Sequence, residues 1–207
     1  MFYQNLKFPK VKGRPFFYTN FVQTIDGKTQ VKKAGYWPIG SKKDYEVLVE
    51  LRAYADCLIH GANLAREFGE ITLKSISKTT FKQMRRVLGK GKTLPYYIIT
   101  SDQESLKYIK ANIHTGSLKS LVKELSERGY KNVLVEGGPT LLGSFLKDNL
   151  IDEIFLTISP KIYGNEKETT KNLVEGQLFP PDQIKHLRII SVKKVKDELF
   201  LRYSIES

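Results

Sequence analysis

Residues 132–164 read NVLVEGGPTLLGSFLKDNLIDEIFLTISPKIYG, a pattern of strand, glycine pair, helix and second strand. Val133–Val135 is a short apolar run typical of a buried strand, and Gly137–Gly138 follows it after one charged residue. Pro139 suits the first position of a helix, because its φ is fixed and the N–H it lacks would have no partner there. Ile154–Ile158 predicts the next strand. The stretch therefore predicts an α/β unit.

The glycine pair between strand and helix suits an anionic ligand such as a phosphate. Glycines let backbone N–H groups approach a ligand closely, and the helix N-terminus adds partial positive charge. Glu136, at the end of the strand, is expected to project into the crevice where open α/β sheets bind ligands. The alternative is a tight strand-to-helix turn with an exposed glutamate, since this is neither the dinucleotide fingerprint nor a Walker A loop. The general motif rules leave both interpretations open.

The run VLVEGGPTLLGSFL, followed by LIDEIFLTISPKIYG, resembles the reductase domain of riboflavin biosynthesis. That domain is the C-terminal half of a bacterial deaminase–reductase and stands alone in archaea and fungi. The resemblance implies an α/β fold similar to dihydrofolate reductase, with a mixed central sheet flanked by helices, and NADPH as the cofactor. Because 207 residues show no break in composition, we expect a single domain over residues 1–207.

The composition limits the class of protein. The single cysteine, Cys57, lies in an apolar run, which argues for a reducing compartment and against disulfides. The three histidines share no ligand spacing with it, so no metal site is expected. Without a long apolar run or a signal peptide pattern, we expect a soluble cytoplasmic protein with no membrane partner. The net charge of +12 raises nucleic acid as a partner, but the basic residues are dispersed and lack interleaved aromatics, so none is expected.

A second motif follows the first predicted strand, Pro15–Phe21. Thr24–Lys28 reads Thr-Ile-Asp-Gly-Lys; its Asp-Gly alone predicts a turn, and the whole resembles a family motif that lies beside the nicotinamide. The resemblance makes Asp26 the first candidate for a catalytic electrostatic and proton role. Glu136 is the second candidate and a substrate ligand. Asn20, six residues before Asp26, resembles the archaeal and fungal enzymes, which carry Asn there.

Further candidates come from the loop Gly35–Ser41 and from Leu51–Asp56. Ser41 and Asp44 predict a helix start resembling a capping box. Leu51–Asp56 matches the family's Leu-Arg-Ala-x-Ala-Asp, which implies a substrate contact for Arg52; a surface arginine is the alternative. The candidate substrate ligands are Asn20, Ser41, Arg52 and Glu136. The candidate cofactor ligands implied by the resemblance are Val22, Trp37, Gly61, Asn63, Ser101, Gly137, Gly138, Pro139, Thr140, Leu141 and Ser144.

Local patterns predict the remaining elements. Cys57–His60 and Tyr96–Thr100 have the pattern of strands, and Thr80–Leu88 that of a short basic helix. Ser117–Arg128 is amphipathic, with Gly129 as its C-cap. The chain is expected to close with an antiparallel hairpin formed by Leu187–Val195 and Glu198–Ile205.

The sequence departs from the family after the strand that ends at His60. Asn63 and Leu64 replace a glycine and a threonine, and the family's cofactor-contacting Asp and substrate-binding Arg fall at Phe68 and near Ser75. The expected function is reduction by NADPH of a ribosylaminopyrimidine 5′-phosphate to the ribitylamino form, in a homodimer as is usual in the family. A reductase of dihydrofolate or another pterin stays open because of these departures. A non-enzymatic basic nucleic-acid-binding protein is a further alternative.

Overall fold

The computed structural model describes residues 1–31, 38–165 and 169–206. The strands are β1 Phe16–Thr24, β2 Lys28–Val31, β3 Cys57–Gly61, β4 Tyr96–Ile99, β5 Asn112–His114, β6 Asn132–Gly137, β7 Glu153–Ser159, β8 Thr170–Asn172, β9 Leu187–Val195 and β10 Glu198–Ile205. The helices are α1 Lys42–Tyr54, α2 Ala62–Ser77, α3 Thr79–Val87, α4 Leu118–Glu127 and α5 Pro139–Lys147. Within the described residues, eight of the ten strands belong to a mixed central sheet flanked by helices, so the predicted fold class is confirmed.

The chain folds into two compact units. The first comprises residues 1–17 and 47–138, and the second comprises residues 18–46 and 139–207. The prediction of one domain over residues 1–207 stays a prediction. No helix in the described part of the chain has both the length and the apolar content needed to cross a bilayer.

The first unit contains four parallel strands in the order β5-β4-β3-β6. Parallel neighbours require crossover connections: α2 and α3 lie between β3 and β4, a segment with a 3₁₀ turn at Glu104–Leu106 lies between β4 and β5, and α4 lies between β5 and β6. Leu58, Ile59 and Val133–Val135 are fully buried. Strands that are covered on both faces are apolar throughout, which explains the apolar runs in β3 and β6. All four strands point their carboxyl ends toward the same edge.

Helix α2 was not predicted from the sequence. Its buried residues, Ala65, Gly69, Thr72, Ser75 and Ile76, have helical spacing, but most are small or polar. A Cβ on Gly69 would lie 2.8 Å from Cδ1 of Ile109 and 3.4 Å from the Tyr96 hydroxyl, so the glycine allows a close approach. A search for apolar periodicity misses such a helix, because it packs through small residues.

The predicted helices α3 and α4 are both present. α4 begins after Ser117, whose hydroxyl accepts a hydrogen bond from the Ser120 N–H at 3.2 Å. Gly129 follows the helix with a φ of +74°, the left-handed conformation expected of a glycine there. These boundaries follow from local chemistry, and the predictions are confirmed.

The second unit contains strands in the order β1-β7-β10-β9 and a separate antiparallel pair, β2 and β8. β1 runs parallel to β7, and β10 runs antiparallel to both β7 and β9. The predicted closing hairpin is confirmed. α5 begins at Pro139, the residue that the sequence placed first in this helix.

The start of helix α1 differs from the predicted capping box. The Ser41 hydroxyl accepts from the N–H of Asp44 at 3.3 Å, as expected of an N-cap. In place of the return bond to Asp44, the Ser41 N–H donates to the Glu198 carboxylate at 2.9 Å. Asp44 cannot supply it, because its carboxyl group is buried and hydrogen-bonded to Thr157. This part of the prediction was wrong.

Candidate functional site

The carboxyl ends of the parallel strands in the first unit carry five of the eleven predicted cofactor ligands. Gly61 ends β3 and Asn63 lies in the first turn of α2, Ser101 follows β4, and Gly137 ends β6 with Gly138 directly after it. Ligands of open α/β sheets bind at this edge, where strands end and loops begin. Asn63 and Ser101 are exposed, and Gly61 is half-buried.

The glycine pair joins β6 to α5. Gly137 is buried with a φ of +85°, and its peptide bond to Gly138 is cis. A Cβ on Gly138 would meet no described atom within 4 Å, which leaves room for a ligand against the backbone. Of the α5 candidates, Thr140 is exposed, Leu141 and Ser144 are half-buried, and Pro139 is buried.

Glu136 is buried and hydrogen-bonded inside the first unit. Nε of Arg52 lies 2.5 Å from its Oε1, and Nη2 of Arg52 lies 2.7 Å from its Oε2. Nε2 of His60 is also 2.7 Å from Oε2. Burial alone would raise the pKa of Glu136, but the Arg52 guanidinium and its hydrogen bonds, with His60, lower it to about 2. The carboxylate is therefore ionised at neutral pH.

Arg52 is 5% exposed, which excludes the alternative of a surface arginine. The structure brings the two candidates Arg52 and Glu136 together as an ion pair. Their roles as substrate ligands stay predictions.

His60 and Tyr96 extend this cluster, and sequence reasoning missed both. Nδ1 of His60 lies 2.8 Å from the Tyr96 hydroxyl, and both side chains are buried. Burial raises the pKa of the Tyr96 hydroxyl, so it remains protonated. The available signal was a polar histidine at the end of an otherwise apolar strand.

An exposed cationic group lies in the first turns of α2, next to the loop that follows β4. Arg66 donates from Nη1 to the Asn63 side chain at 2.9 Å and from Nη2 to the Ser105 hydroxyl at 3.1 Å. The Ser105 N–H and hydroxyl, and more weakly Arg66, lower the pKa of Asp102 in the same loop as Ser101. Arg66 thus contacts the loop that contains the predicted cofactor ligand Ser101.

The second unit contains the remaining candidates. Asn20 is buried and Val22 half-buried, and they lie two residues apart on β1, so they share one face of the strand. Ser41 is exposed, and its hydroxyl donates to Glu198. Trp37 lies outside the described residues.

Asp26 is held between its own turn and the loop after β7. Its Oδ1 accepts from the Thr24 hydroxyl at 2.6 Å and from the Tyr163 N–H at 3.1 Å, and Oδ2 accepts from the Gly164 N–H at 2.7 Å. The Thr24 hydroxyl, followed by these two N–H groups, lowers the pKa of Asp26 to about 2. Asp26 is therefore ionised at neutral pH, which suits the electrostatic role, and both of its expected roles stay predictions.

A cavity of about 210 Å³ lies beside the Asp26 turn in the second unit. Its lining residues are mostly apolar: Thr24, Val31, Pro38, Ile39, Lys161, Ile162 and Tyr163. Thr24 and Tyr163 also contact Asp26. Pockets with apolar walls and a few polar groups are typical of small-molecule sites.

Asp44 is a buried acid that the sequence did not single out as titratable. Burial raises its pKa to about 6, and Glu198 adds to the increase, while Thr157 and Lys161 oppose it. Among the described residues, its Oδ1 is a buried side-chain oxygen without a hydrogen-bond partner.

The sheet, its helices and the glycine pair after a parallel strand define an α/β protein with a fold of the dihydrofolate reductase type. Residues 15–201 match the family described as the RibD C-terminal domain, and the chain belongs to this family. The predicted resemblance is confirmed.

Two relatives and one solved structure illustrate the match. Riboflavin biosynthesis protein RibD of Aquifex aeolicus is 31% identical over 172 residues, which cover 73% of this chain and 48% of that protein. This chain thus spans about half the length of that relative. An Archaeoglobus fulgidus protein, named 2,5-diamino-6-ribosylamino-4(3H)-pyrimidinone 5′-phosphate reductase, is 22% identical over 212 residues, 88% of this chain and 94% of its own. The structure of a pyrimidine reductase-like protein from Corynebacterium diphtheriae superposes with a TM-score of 0.71 at 18% identity, covering 93% of this chain and 92% of that one.

Proposed function

We propose that this protein is an NADPH-dependent reductase that converts a ribosylaminopyrimidine 5′-phosphate to its ribitylamino form in riboflavin biosynthesis. The observation that carries the proposal is the glycine pair at the carboxyl end of β6, in a chain of the RibD C-terminal domain family. The relative named as a pyrimidinone phosphate reductase supports the substrate class, since it matches over 94% of its own length. The homodimer and the cytoplasmic location stay predictions.

The residues present suit a dinucleotide. The open space beside Gly138 allows a pyrophosphate to lie against the backbone, and Gly137 supplies the turn. When bound, NADPH supplies the hydride that reduces C1′ of the open imine form of the sugar. The protein has to hold the two carbons in contact and stabilise the cationic imine. We assign that stabilisation to the Asp26 carboxylate, which is ionised at neutral pH.

A pterin reductase is the second candidate. Two family ligands, a cofactor-contacting Asp and a substrate-binding Arg, are replaced here by Phe68 and Ser75. Both residues lie in helix α2, and Ser75 is buried. Titrating NADPH first, and then measuring its oxidation with the pyrimidine substrate and with dihydrofolate, separates the two candidates. Absence of NADPH binding would contradict both.

Replacing Gly138 with valine is expected to weaken NADPH binding at least tenfold without unfolding the protein. A side chain here meets no described atom within 4 Å, so it enters the space that the pyrophosphate requires. Titration of NADPH and a thermal melt check this. Gly91→Val is the matched control, because its Cβ would meet only the Thr93 carbonyl oxygen, at 4.0 Å, and the Gly91 carbonyl that accepts from Arg85 is kept. Equal binding by Gly138→Val and the parent would show that the cofactor lies elsewhere.

Replacing Arg66 with glutamine is expected to weaken NADPH binding about tenfold and leave NADH binding nearly unchanged. The guanidinium lies beside the loop of Ser101, and a charge-assisted hydrogen bond to a 2′-phosphate is worth about 1.5–3 kcal/mol. Affinities for both cofactors at moderate salt give the ratio. Arg86→Gln, which also removes an exposed arginine, is the control. An unchanged ratio in Arg66→Gln would remove this residue from the 2′-phosphate site.

A further inference from the structure

The ladder between β3 and β6 is irregular where it reaches the glycine pair. Ile59 lies opposite Val135, but His60 lies opposite Gly137, and the register shifts between the two pairs. Glu136 is the extra residue on β6. Bulges of this kind redirect a side chain and bend the strand, and they are frequent beside functional sites. Here the bulge turns Glu136 toward Arg52 and His60, one residue before the backbone takes positive φ at Gly137.

The Glu136 carboxylate is held from two directions. Arg52, on helix α1, donates two hydrogen bonds, one to each oxygen. His60, on the neighbouring strand, donates a third at the bulge itself. A carboxylate has about four acceptor positions, so three of the four are filled by these contacts. The arginine fork sets the plane of the carboxylate, and the histidine contact attaches it to β3.

The hydrogen bond at Nδ1 of His60 determines whether Nε2 carries the proton that can be donated to Glu136. In a neutral imidazole one nitrogen donates and the other accepts. The Tyr96 hydroxyl lies 2.8 Å from Nδ1 and retains its proton, so it donates to Nδ1 and leaves the ring proton on Nε2, facing Glu136. The T-shaped packing of the two rings, with centroids 5.0 Å apart, also keeps the imidazole from turning over.

We propose that His60 and Tyr96 are positioning residues of the glycine loop. They hold Glu136 in the β6 bulge and thereby fix the backbone of Gly137–Gly138 in the conformation that receives the cofactor pyrophosphate. Neither residue touches the ligand; Tyr96 acts through His60, and His60 acts through Glu136. The inference rests on the proposed function, since it concerns the binding of NADPH at the same loop.

Replacing Tyr96 with phenylalanine tests the first contact in this series, the hydrogen bond from Tyr96 to His60. Deleting one hydroxyl should weaken NADPH binding about three- to tenfold, as expected from one hydrogen bond. Tyr97→Phe is the matched control, because Tyr97 is the next residue of β4 and its hydroxyl donates to Glu124, away from the bulge. The control should lose comparable stability in a thermal melt and keep the parent's affinity for NADPH. If both variants bind NADPH equally well, Tyr96 has a structural role only and the proposal is overturned.

Substitutions at His60 test the second step. Gln places an N–H near the position of Nε2 and can still donate to Glu136, whereas Leu cannot. His60→Gln should bind NADPH within about threefold of the parent, and His60→Leu should bind it about tenfold more weakly. Adding Tyr96→Phe to His60→Leu should cause no further loss, because Tyr96 then has no histidine to orient. A full additional loss in the double variant would contradict the chain of contacts.

The NADPH affinity of the parent distinguishes failure of the proposed function from failure of the positioning role. A parent protein that does not bind NADPH contradicts the proposed function itself. A parent that binds NADPH, with a Tyr96→Phe variant that matches Tyr97→Phe, contradicts only the positioning role of His60 and Tyr96.

Discussion

The Asp26→Asn variant is expected to turn over about a hundred- to a thousandfold more slowly than the parent. Loss of a preorganised charge next to a reacting centre typically costs a few kcal/mol of barrier. The pKa of Asp26 is about 2, so the parent carboxylate is charged throughout the neutral range and its effect on rate should not vary with pH there. Steady-state oxidation of NADPH with the pyrimidine substrate measures the change.

The contacts of Asp26 require a control for displacement of the loop. Both of its oxygens accept N–H groups from Tyr163 and Gly164, and an Asn side chain would set its own NH₂ against one of them. The local loop is therefore expected to lose a hydrogen bond in the Asp26→Asn variant. Gly164→Ala is the control, since Gly164 has a φ of +77° and an alanine strains the loop while Asp26 keeps its charge.

The two variants together separate charge from loop position. We expect Gly164→Ala to keep most of the turnover, with NADPH affinity preserved in both variants. A folded Asp26→Asn variant that turns over within about threefold of the parent would exclude the electrostatic role, because this ratio is below about 1 kcal/mol. Equal losses in the two variants would assign Asp26 to holding the loop.

The Asp44→Asn variant is expected to gain up to about 3 kcal/mol of unfolding free energy at pH 8. The folded protein raises the pKa of Asp44 from 3.8 to about 6, chiefly through burial. A raised acid pKa contributes stability that is fully present below the unfolded pKa and is lost as the pH rises through about 6. Two pKa units correspond to about 3 kcal/mol. Asn has no charge to bury, and its amide oxygen can still accept from Thr157.

Urea unfolding at pH 4, 6 and 8 measures this effect. The parent should lose unfolding free energy relative to Asp44→Asn mainly between pH 4 and pH 6, with little further change from pH 6 to pH 8. Glu46→Gln removes an exposed carboxylate from the same helix and should leave the profile unchanged within about 0.5 kcal/mol. A constant offset between parent and Asp44→Asn at all three pH values would show that the carboxyl titrates normally in the folded state.

The sequence by itself determined the elements whose signals are local. Pro139 begins α5, Ser117 and Gly129 bound α4, and the closing hairpin has the predicted ends at Leu187–Val195 and Glu198–Ile205. Caps, turns and periodicity act over a few residues, so one sequence contains them completely. The family followed from residues 133–164, with Thr24–Lys28 and Leu51–Asp56, and its matched region, residues 15–201, confirms it.

The tertiary structure decided the features that depend on distant partners. Helix α2 packs through Gly69 and other small residues. Their burial depends on the surface that they contact in the folded protein, so the sequence of the helix shows no apolar periodicity. Glu136 lies 84 residues from Arg52 and 76 from His60, yet these neighbours determine its charge state and direction. Asp44 resembles an ordinary acid of a helix start, and only its burial in the folded protein, together with the nearby Glu198 carboxylate, raises its pKa. A pKa and a hydrogen-bond partner follow from surroundings that only folding assembles, because electrostatic interactions depend on distance and solvent exposure and not on separation along the chain.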